Sequence, residues 1–319
     1  MTRAILAALA LSPAAFAQDM PDAWIAFQPA AQATKDIKAG GDRPWRISFT
    51  PGAEYALAAD LKATTGDVSI ARAGAALGVD APIGEMSSLA VSFGWQHSWY
   101  TWDKATSLGG VAAPWDDTDE LDLGVRFSSR IDEKWSWFAG VGANSSGEKG
   151  ADFSDTLTFG GGGGVRYRAS DTLAFTAGLI VRSQLEDSAS VIPIIGVDWK
   201  FAEHWALTTE YRTSIFPRPG IFLTYSPCDT LDLALGASYE THVFRLSDRD
   251  TPIDGIARER RIPVELSASW KLSPHATLAA SAGVVVWQRF RLDTSDGTLI
   301  GQNEADPTGI FGLSLKMAY

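Results

Sequence analysis

The stretch Leu157–Phe175, LTFGGGGGVRYRASDTLAF, decides how the rest of the chain is read. Five consecutive glycines, Gly160–Gly164, would suit a flexible linker or a phosphate-cradling loop. Their flanks do not fit either. Leu157, Phe159, Val165 and Tyr167 share one parity, and Thr158, Gly160, Gly162, Gly164, Arg166 and Arg168 share the other, which is the side-chain period of a strand. A phosphate loop would close on Gly-Lys-Ser/Thr, and no such sequence follows. Glycine inside a strand marks a bend or the close approach of another group. A closed barrel must bend, and large neighbouring side chains can lie over glycine backbone. The run is read as strand.

The same period extends along the chain. Leu89, Val91, Phe93 and Trp95 oppose Ser92, Gly94, Gln96 and Ser98. Leu121, Leu123, Val125 and Phe127 oppose Asp122, Gly124, Arg126 and Ser128. Leu231, Leu233 and Leu235 oppose Asp232, Ala234 and Gly236, and Ile262, Val264, Leu266 and Trp270 oppose Glu265, Ser267 and Ser269. Short polar turns recur at Ile131–Lys134, Ser170-Asp171, Ala202–His204, Ser226–Asp229 and Ser273–His275, several with aromatic residues close by. Longer polar connections lie between them: Asp103–Glu120, Ser145–Asp155, Leu246–Arg260 and Asp293–Pro307. This asymmetry predicts an all-β, antiparallel, transmembrane up-and-down barrel. Fourteen strands are expected, beginning near Trp45, Asp67, Ser87, Asp119, Lys134, Asp155, Thr172, Ser190, Trp205, Pro219, Thr230, Arg261, Ala276 and Gly309. The first two strands and the Phe216–Pro219 connection carry the weakest pattern; if one of those hairpins fails, twelve remain. Phe311, Leu313, Leu315, Met317 and Tyr319 alternate to the final residue, as in the terminal strand that barrel-insertion machinery recognises through its last aromatic.

Composition agrees. The chain has 30 glycines and 12 tryptophans, and its mean hydropathy is -0.02, as expected when apolar and polar residues alternate. Met1-Thr2-Arg3, an apolar stretch to Ala15 and Ala15-Phe16-Ala17 form a secretory signal peptide, residues 1–17, with cleavage expected after Ala17. A membrane anchor is the weaker reading, because a spanning helix needs about 20 apolar residues. Residues 18–43 are read as a periplasmic extension or a small insert in the barrel mouth, and residues 44–319 as the barrel. The expected location is the outer membrane of a Gram-negative bacterium, in contact with lipid and lipopolysaccharide. Cys228 is the only cysteine, so no internal disulfide forms. A net charge of -11 argues against nucleic-acid binding.

Gly160–Trp199, together with Phe244-Arg245-Leu246, Arg260-Arg261-Ile262-Pro263 and Arg289–Asp293, resembles a family of proteobacterial outer-membrane β-barrel proteins catalogued as a domain of unknown function. The resemblance covers most of the chain after Ser87. It implies an outer-membrane barrel, and brings no substrate or catalytic residue with it.

The polar parity should line the lumen, because a lipid-facing Arg or Lys at midplane costs roughly 2–4 kcal/mol. The candidates are Asp122, Arg126, Arg166, Arg168, Arg182, Asp198, Glu210, Arg212, Asp232, Glu240, Glu265 and Arg289. Two readings stay open: a polar pathway whose charges select solutes, or ion pairs that fill a closed barrel. A second pattern sits where strands meet long loops, in Arg182–Asp187, Arg245–Asp248 and Arg291–Asp293. Its rim residues are Glu186, Asp187, Arg245, Asp248, Arg291 and Asp293. They suit either a site for a cation or charged solute, or plain ion pairing at loop bases; the second is favoured. No metal-ligand spacing or cofactor motif is present. Among the four histidines, His97-Ser98 invites a hydrolase reading, but adjacent strand residues point to opposite faces. The expected function is a porin-like channel for passive passage of small polar or charged solutes. The alternatives are a closed structural or adhesive barrel and, behind it, a lipid hydrolase.

Overall fold

A computed structural model describes residues 44–106, 108, 110, 113–186, 188–210, 219–247 and 254–319, with the side chain of Glu210 excepted. The expected signal peptide and extension, Asp187, Arg212, Asp248 and most of the Phe216–Pro219 connection lie outside the described residues.

The described strands are β1 (Arg46–Asp60), β2 (Asp67–Ile83), β3 (Ser87–Asp103), β4 (Asp117–Arg130), β5 (Trp135–Glu148), β6 (Leu157–Ser170), β7 (Leu173–Ser183) and β8 (Ala189–Ala202). They continue with β9 (Trp205–Glu210), β10 (Pro219–Cys228), β11 (Leu231–Ser238), β12 (Glu240–Arg245), β13 (Ile256–Ser273), β14 (Ala276–Asp293), β15 (Leu299–Ala305) and β16 (Thr308–Ala318). β11 and β12 pair in one unbroken register with β13, and β16 and β15 continue one register along β14 as far as Leu292, so the segments make fourteen staves. Every neighbour in the wall is antiparallel, and β1 closes the barrel on β16. At the seam Ile47 and Tyr319 exchange both backbone hydrogen bonds, at 2.9 Å each. The expected starts agree closely, with two differences. The twelfth stave begins at Ile256 rather than Arg261, and the last begins at Leu299 rather than Gly309. Both expected loops thus contribute strand.

The glycine run lies in the middle of β6 and obeys the parity. Thr158 and Arg166 are buried, while Phe159 and Val165 are exposed. Gly160, Gly162 and Gly164 therefore face inward. A β-carbon on Gly164 would lie 2.5 Å from the Ala177 carbonyl oxygen and 2.8 Å from the Phe138 ring. Phe138 is 2% exposed and uses that space. Phe222 lies over Gly220 and Gly236 in the same way. Glycine on the inner wall is what lets large side chains lie flat against it.

Around the middle of the barrel the outer face is apolar. Leu123, Val141, Phe159, Val191, Ile195 and Leu266 are exposed there, while Asp122, Arg126, Asn144, Arg166 and Ser267 on the inner parity are buried. An apolar exterior around a polar interior is the arrangement lipid demands of a spanning barrel. Near the short-turn end, aromatic pairs ring the wall: Trp135–Tyr167 and Trp205–Tyr225 at 4.7 Å, and His275–Tyr319 stacked at 5.5 Å.

At the long-loop end the polarity inverts. The interior is filled by an apolar cluster that includes Leu61, Ile70, Trp115, Phe244, Phe290 and Leu292, all at 2% exposure or less. The exterior at this level carries Lys62, Arg289, Arg291 and Glu304. An apolar interior inside a polar exterior is the arrangement of a protein in water. The staves therefore run beyond the lipid, and their ends enclose a core like that of a soluble domain.

Candidate functional site

The lumen is the site, and its contents come in layers. At the short-turn end, Arg130, Ser136 and Arg166 lie in one register row on β4, β5 and β6. Arg166 donates to Asp198 on β8 at 3.2 Å. Arg168 lies one inward step nearer the mouth. On the same side of the membrane Asp232 accepts from the Ser226 hydroxyl at 2.5 Å.

Above this, Asn144 donates to Glu120 at 2.8 Å and to Asp122 at 2.9 Å, holding two carboxylates of β4 beside one amide of β5. Arg126 and Arg182 are buried at inward positions of β4 and β7, and Glu265 accepts from Ser281 at 2.8 Å.

A layer of charge then crosses the barrel. Arg72 of β2 donates to Glu259 of β13 at 2.5 Å and lies 3.6 Å from Glu54 and 3.7 Å from Glu240. Arg261 of β13 donates to Glu240 of β12 at 2.6 Å and, more closely, to Glu54 of β1. Tyr100 and Gln288 complete Glu259, donating at 2.7 and 2.8 Å. Arg72 and Arg261 are at most 1% exposed. A buried charge persists only with partners on all sides, and two guanidinium groups here meet three carboxylates. His242 extends the layer, lying 3.8 Å from both Glu240 and Glu120. Glu120 comes from β4, on the opposite wall, so the contacts span the lumen.

The aromatic cap rests on this layer. Tyr100, Trp102, Trp115, Phe244 and Phe290 meet with ring centroids 5.0–6.2 Å apart, mostly edge to face. Phe244 enters because β12 leaves the wall. Beyond Ser238 this stave keeps its pairing to β13 but bends inward, and Arg245 forms a parallel bridge with Gly147 of β5 across the lumen. The Arg245 side chain fastens it, donating to the carbonyls of Leu185, Asp254 and Asp155 at 2.6, 2.8 and 3.2 Å. Ser247 N–H donates to Glu148 at 3.0 Å.

Most of the expected lumen residues that fall within the described side chains, Asp122, Arg126, Arg166, Arg168, Arg182, Asp198, Asp232, Glu240 and Glu265, occupy inward positions. Arg289 does not. Gln288 and Phe290 point inward at 1% and 0% exposure, so Arg289 faces out, where it donates to Glu304 at 2.6 Å. The cause is a bulge: Ile262 pairs with Trp287 but Pro263 pairs with Val285, and the extra residue, Val286, shifts the parity of β14. At the rim, Arg258 joins Glu186 at 2.5 Å to Asp293 at 3.1 Å, and Arg291 donates to Asp293 at 2.6 Å. Arg245 instead fastens the inward-bending end of β12.

Sequence reasoning missed Glu54, Arg72, Glu259 and Arg261. Glu259 lay in an expected loop, and Arg72 in a strand of weak pattern. The signal available was Arg261 itself, in register with Glu240. His97 and Ser98 do face opposite ways: Ser98 is buried inside, and His97 meets Asp119 outside at 2.8 Å.

Residues 116–305, more than half of the chain, match the family model described as "Domain of unknown function (DUF6268)". No curated protein matches. Among solved structures, the chain is similar to the "TodX monoaromatic hydrocarbon channel deltaS2 mutant", with 9% identity, 94% of this chain and 93% of that chain covered, and a TM-score of 0.47. It is also similar to the COG4313 outer membrane channel from Pseudomonas putida F1, with 11% identity, coverage of 88% and 100%, and a TM-score of 0.45. A Pseudomonas aeruginosa FadL homologue follows, with 12% identity, coverage of 86% and 89%, and a TM-score of 0.45. The fourteen-stave barrel with its layered interior belongs to the DUF6268 family.

Proposed function

We propose that the protein is an outer-membrane channel for small polar or charged solutes, closed at its outer end in this conformation. On this reading the short turns face the periplasm, the long loops face outside, and Tyr319 ends the strand offered to the insertion machinery. The observation that carries the proposal is the composition of the closure. The wall is complete without the cap, because its ladder runs from β1 round to β16. What blocks the lumen is β12, one aromatic cluster and one layer of ion pairs, none of which the closed ladder of the other strands requires. Below them the inner face is polar, glycine-rich and charged with both signs, as suits a path for hydrated solutes.

The test is conductance of the refolded chain in a planar bilayer, alone and with Phe244→Ala combined with Arg245→Ala. The cap variant should open at least tenfold more often than the parent, with both proteins heat-modifiable. A folded cap variant that never conducts sinks the channel reading. A second reading then stands, that of a permanently closed barrel presenting its loops, which the depth of burial of Arg72 and Arg261 favours.

A further inference from the structure

The chain carries a net charge of -11, yet its turn-end mouth is locally basic. A cleft there is lined by Arg130, Lys134, Arg166 and Arg168 against two acids, Asp132 and Glu133. Asp132 is occupied by its own turn, accepting from the N–H groups of Lys134 at 2.7 Å and Trp135 at 2.8 Å. Glu133 is exposed in the same turn. Among the described residues Arg166 meets one carboxylate, Asp198, through a single nitrogen. Among the described residues Arg168 has no carboxylate partner. Its position is fixed by its backbone, whose N–H donates to the Lys134 carbonyl at 2.8 Å. Between the two arginine-bearing strands lies Ser136, 6% exposed and in register with both Arg130 and Arg166. Lys200, Lys271 and Lys316 take inward parity at the same end of β8, β13 and β16, where the inward acids are Asp198 and Asp232.

We propose that this cleft is an anion site, in which Arg168, Arg130 and Arg166 surround Ser136 and take the phosphate or carboxylate group of a small solute. Guanidinium groups offer such oxyanions paired N–H donors, and a serine hydroxyl adds a further one. A cleft with an excess of positive charge, between low-dielectric walls, raises the local concentration of anions. The proposal deepens the channel reading by naming the class of solute, anions entering or leaving at the periplasmic mouth, and rests on that reading for its part in transport only. Binding itself requires no open lumen.

The experiment is calorimetric titration of inorganic phosphate into the refolded full chain at low ionic strength, where charge is least screened. The titration is run in zwitterionic detergent and in nanodiscs of phosphatidylcholine or phosphatidylglycerol. Saturable binding is expected in detergent. Arg168→Gln should weaken it at least tenfold, Arg168→Lys, which keeps the charge but loses the paired donors, should weaken it less than Arg168→Gln does, and the outward Arg289→Gln should leave it unchanged. Phosphate bound in phosphatidylcholine but excluded by phosphatidylglycerol supports the site and makes a lipid headgroup its occupant. No saturable binding in any arm, or equal loss in Arg168→Gln and Arg289→Gln, overturns the proposal. The two readings fail separately. Binding without conductance in the cap variant defeats the channel. Conductance without phosphate binding, and with the same reversal potential in Arg168→Gln, defeats the anion site.

Discussion

Replacing single glycines of the β6 run by alanine tests the packing of neighbouring strands against its backbone. Gly164 and Gly161 are three residues apart on one strand but face opposite ways. A β-carbon at Gly164 would meet the Ala177 carbonyl oxygen at 2.5 Å, the Phe138 ring at 2.8 Å and the Gly178 Cα at 3.0 Å. The ring can turn; the carbonyl belongs to a hydrogen-bonded ladder and cannot shift without cost. At Gly161 the nearest atoms are the Gly140 carbonyl oxygen at 3.4 Å and a Val141 methyl at 3.5 Å, which is close to ordinary contact. Overpacking a filled interior typically costs about 1–3 kcal/mol, whereas a substitution without clash stays within about 0.5 kcal/mol. For a loss of about 2 kcal/mol and a urea dependence of about 2 kcal/mol/M, Gly164→Ala should lower the unfolding midpoint by about 1 M. Gly161→Ala should leave it near the parent value. Urea titration of the barrel in vesicles, read by tryptophan fluorescence, measures both. Adding Phe138→Leu to Gly164→Ala should recover only part of the loss, because the carbonyl contact remains. Equal shifts at the two positions, or a larger one at Gly161, would refute the reasoning that the Ala177 carbonyl contact sets the cost at Gly164.

The remaining predictions concern charge. Glu259→Gln removes the shared partner of Arg72 and Tyr100 and should cost roughly 3–5 kcal/mol, as breaking a buried ion pair does, seen as a lower temperature of heat modification. Arg289→Ala breaks a half-exposed pair with Glu304; it should change stability by at most about 1 kcal/mol and leave ion selectivity unaltered. The turn at Asp132 should loosen in acid. Hydrogen bonds from the Lys134 and Trp135 backbone hold its carboxyl below the usual carboxylate range. Since the folded value is the lower one, the support is full above the unfolded pKa and is lost as pH falls through the folded one. Amide exchange at Lys134 and Trp135, measured against a wall amide such as Val141, should rise in that window in the parent and show no such step in Asp132→Asn.

The sequence by itself determined the wall. Period-two alternation depends only on strand geometry, so Leu121–Phe127 and the glycine run could be assigned to faces before any fold was known, and the strand starts followed from the turns between them. Tertiary structure decided what fills the wall. Glu54, Arg72, Glu240 and Glu259 come from β1, β2, β12 and β13, and become neighbours only when β1 closes on β16 and the lumen is narrow enough to be spanned. Pattern reading also assumes one rule of polarity, apolar outside and polar inside, because it assumes lipid. Past the membrane the solvent changes and the rule reverses, which is why Ile256–Arg260 and Leu299–Ala305 passed for loops and are strands around an apolar core. Arg289 changed face through one extra residue, Val286, whose bulge is set by pairing to a strand distant in sequence. Alternation tells which residues point together; only closure of the barrel determines what they point at.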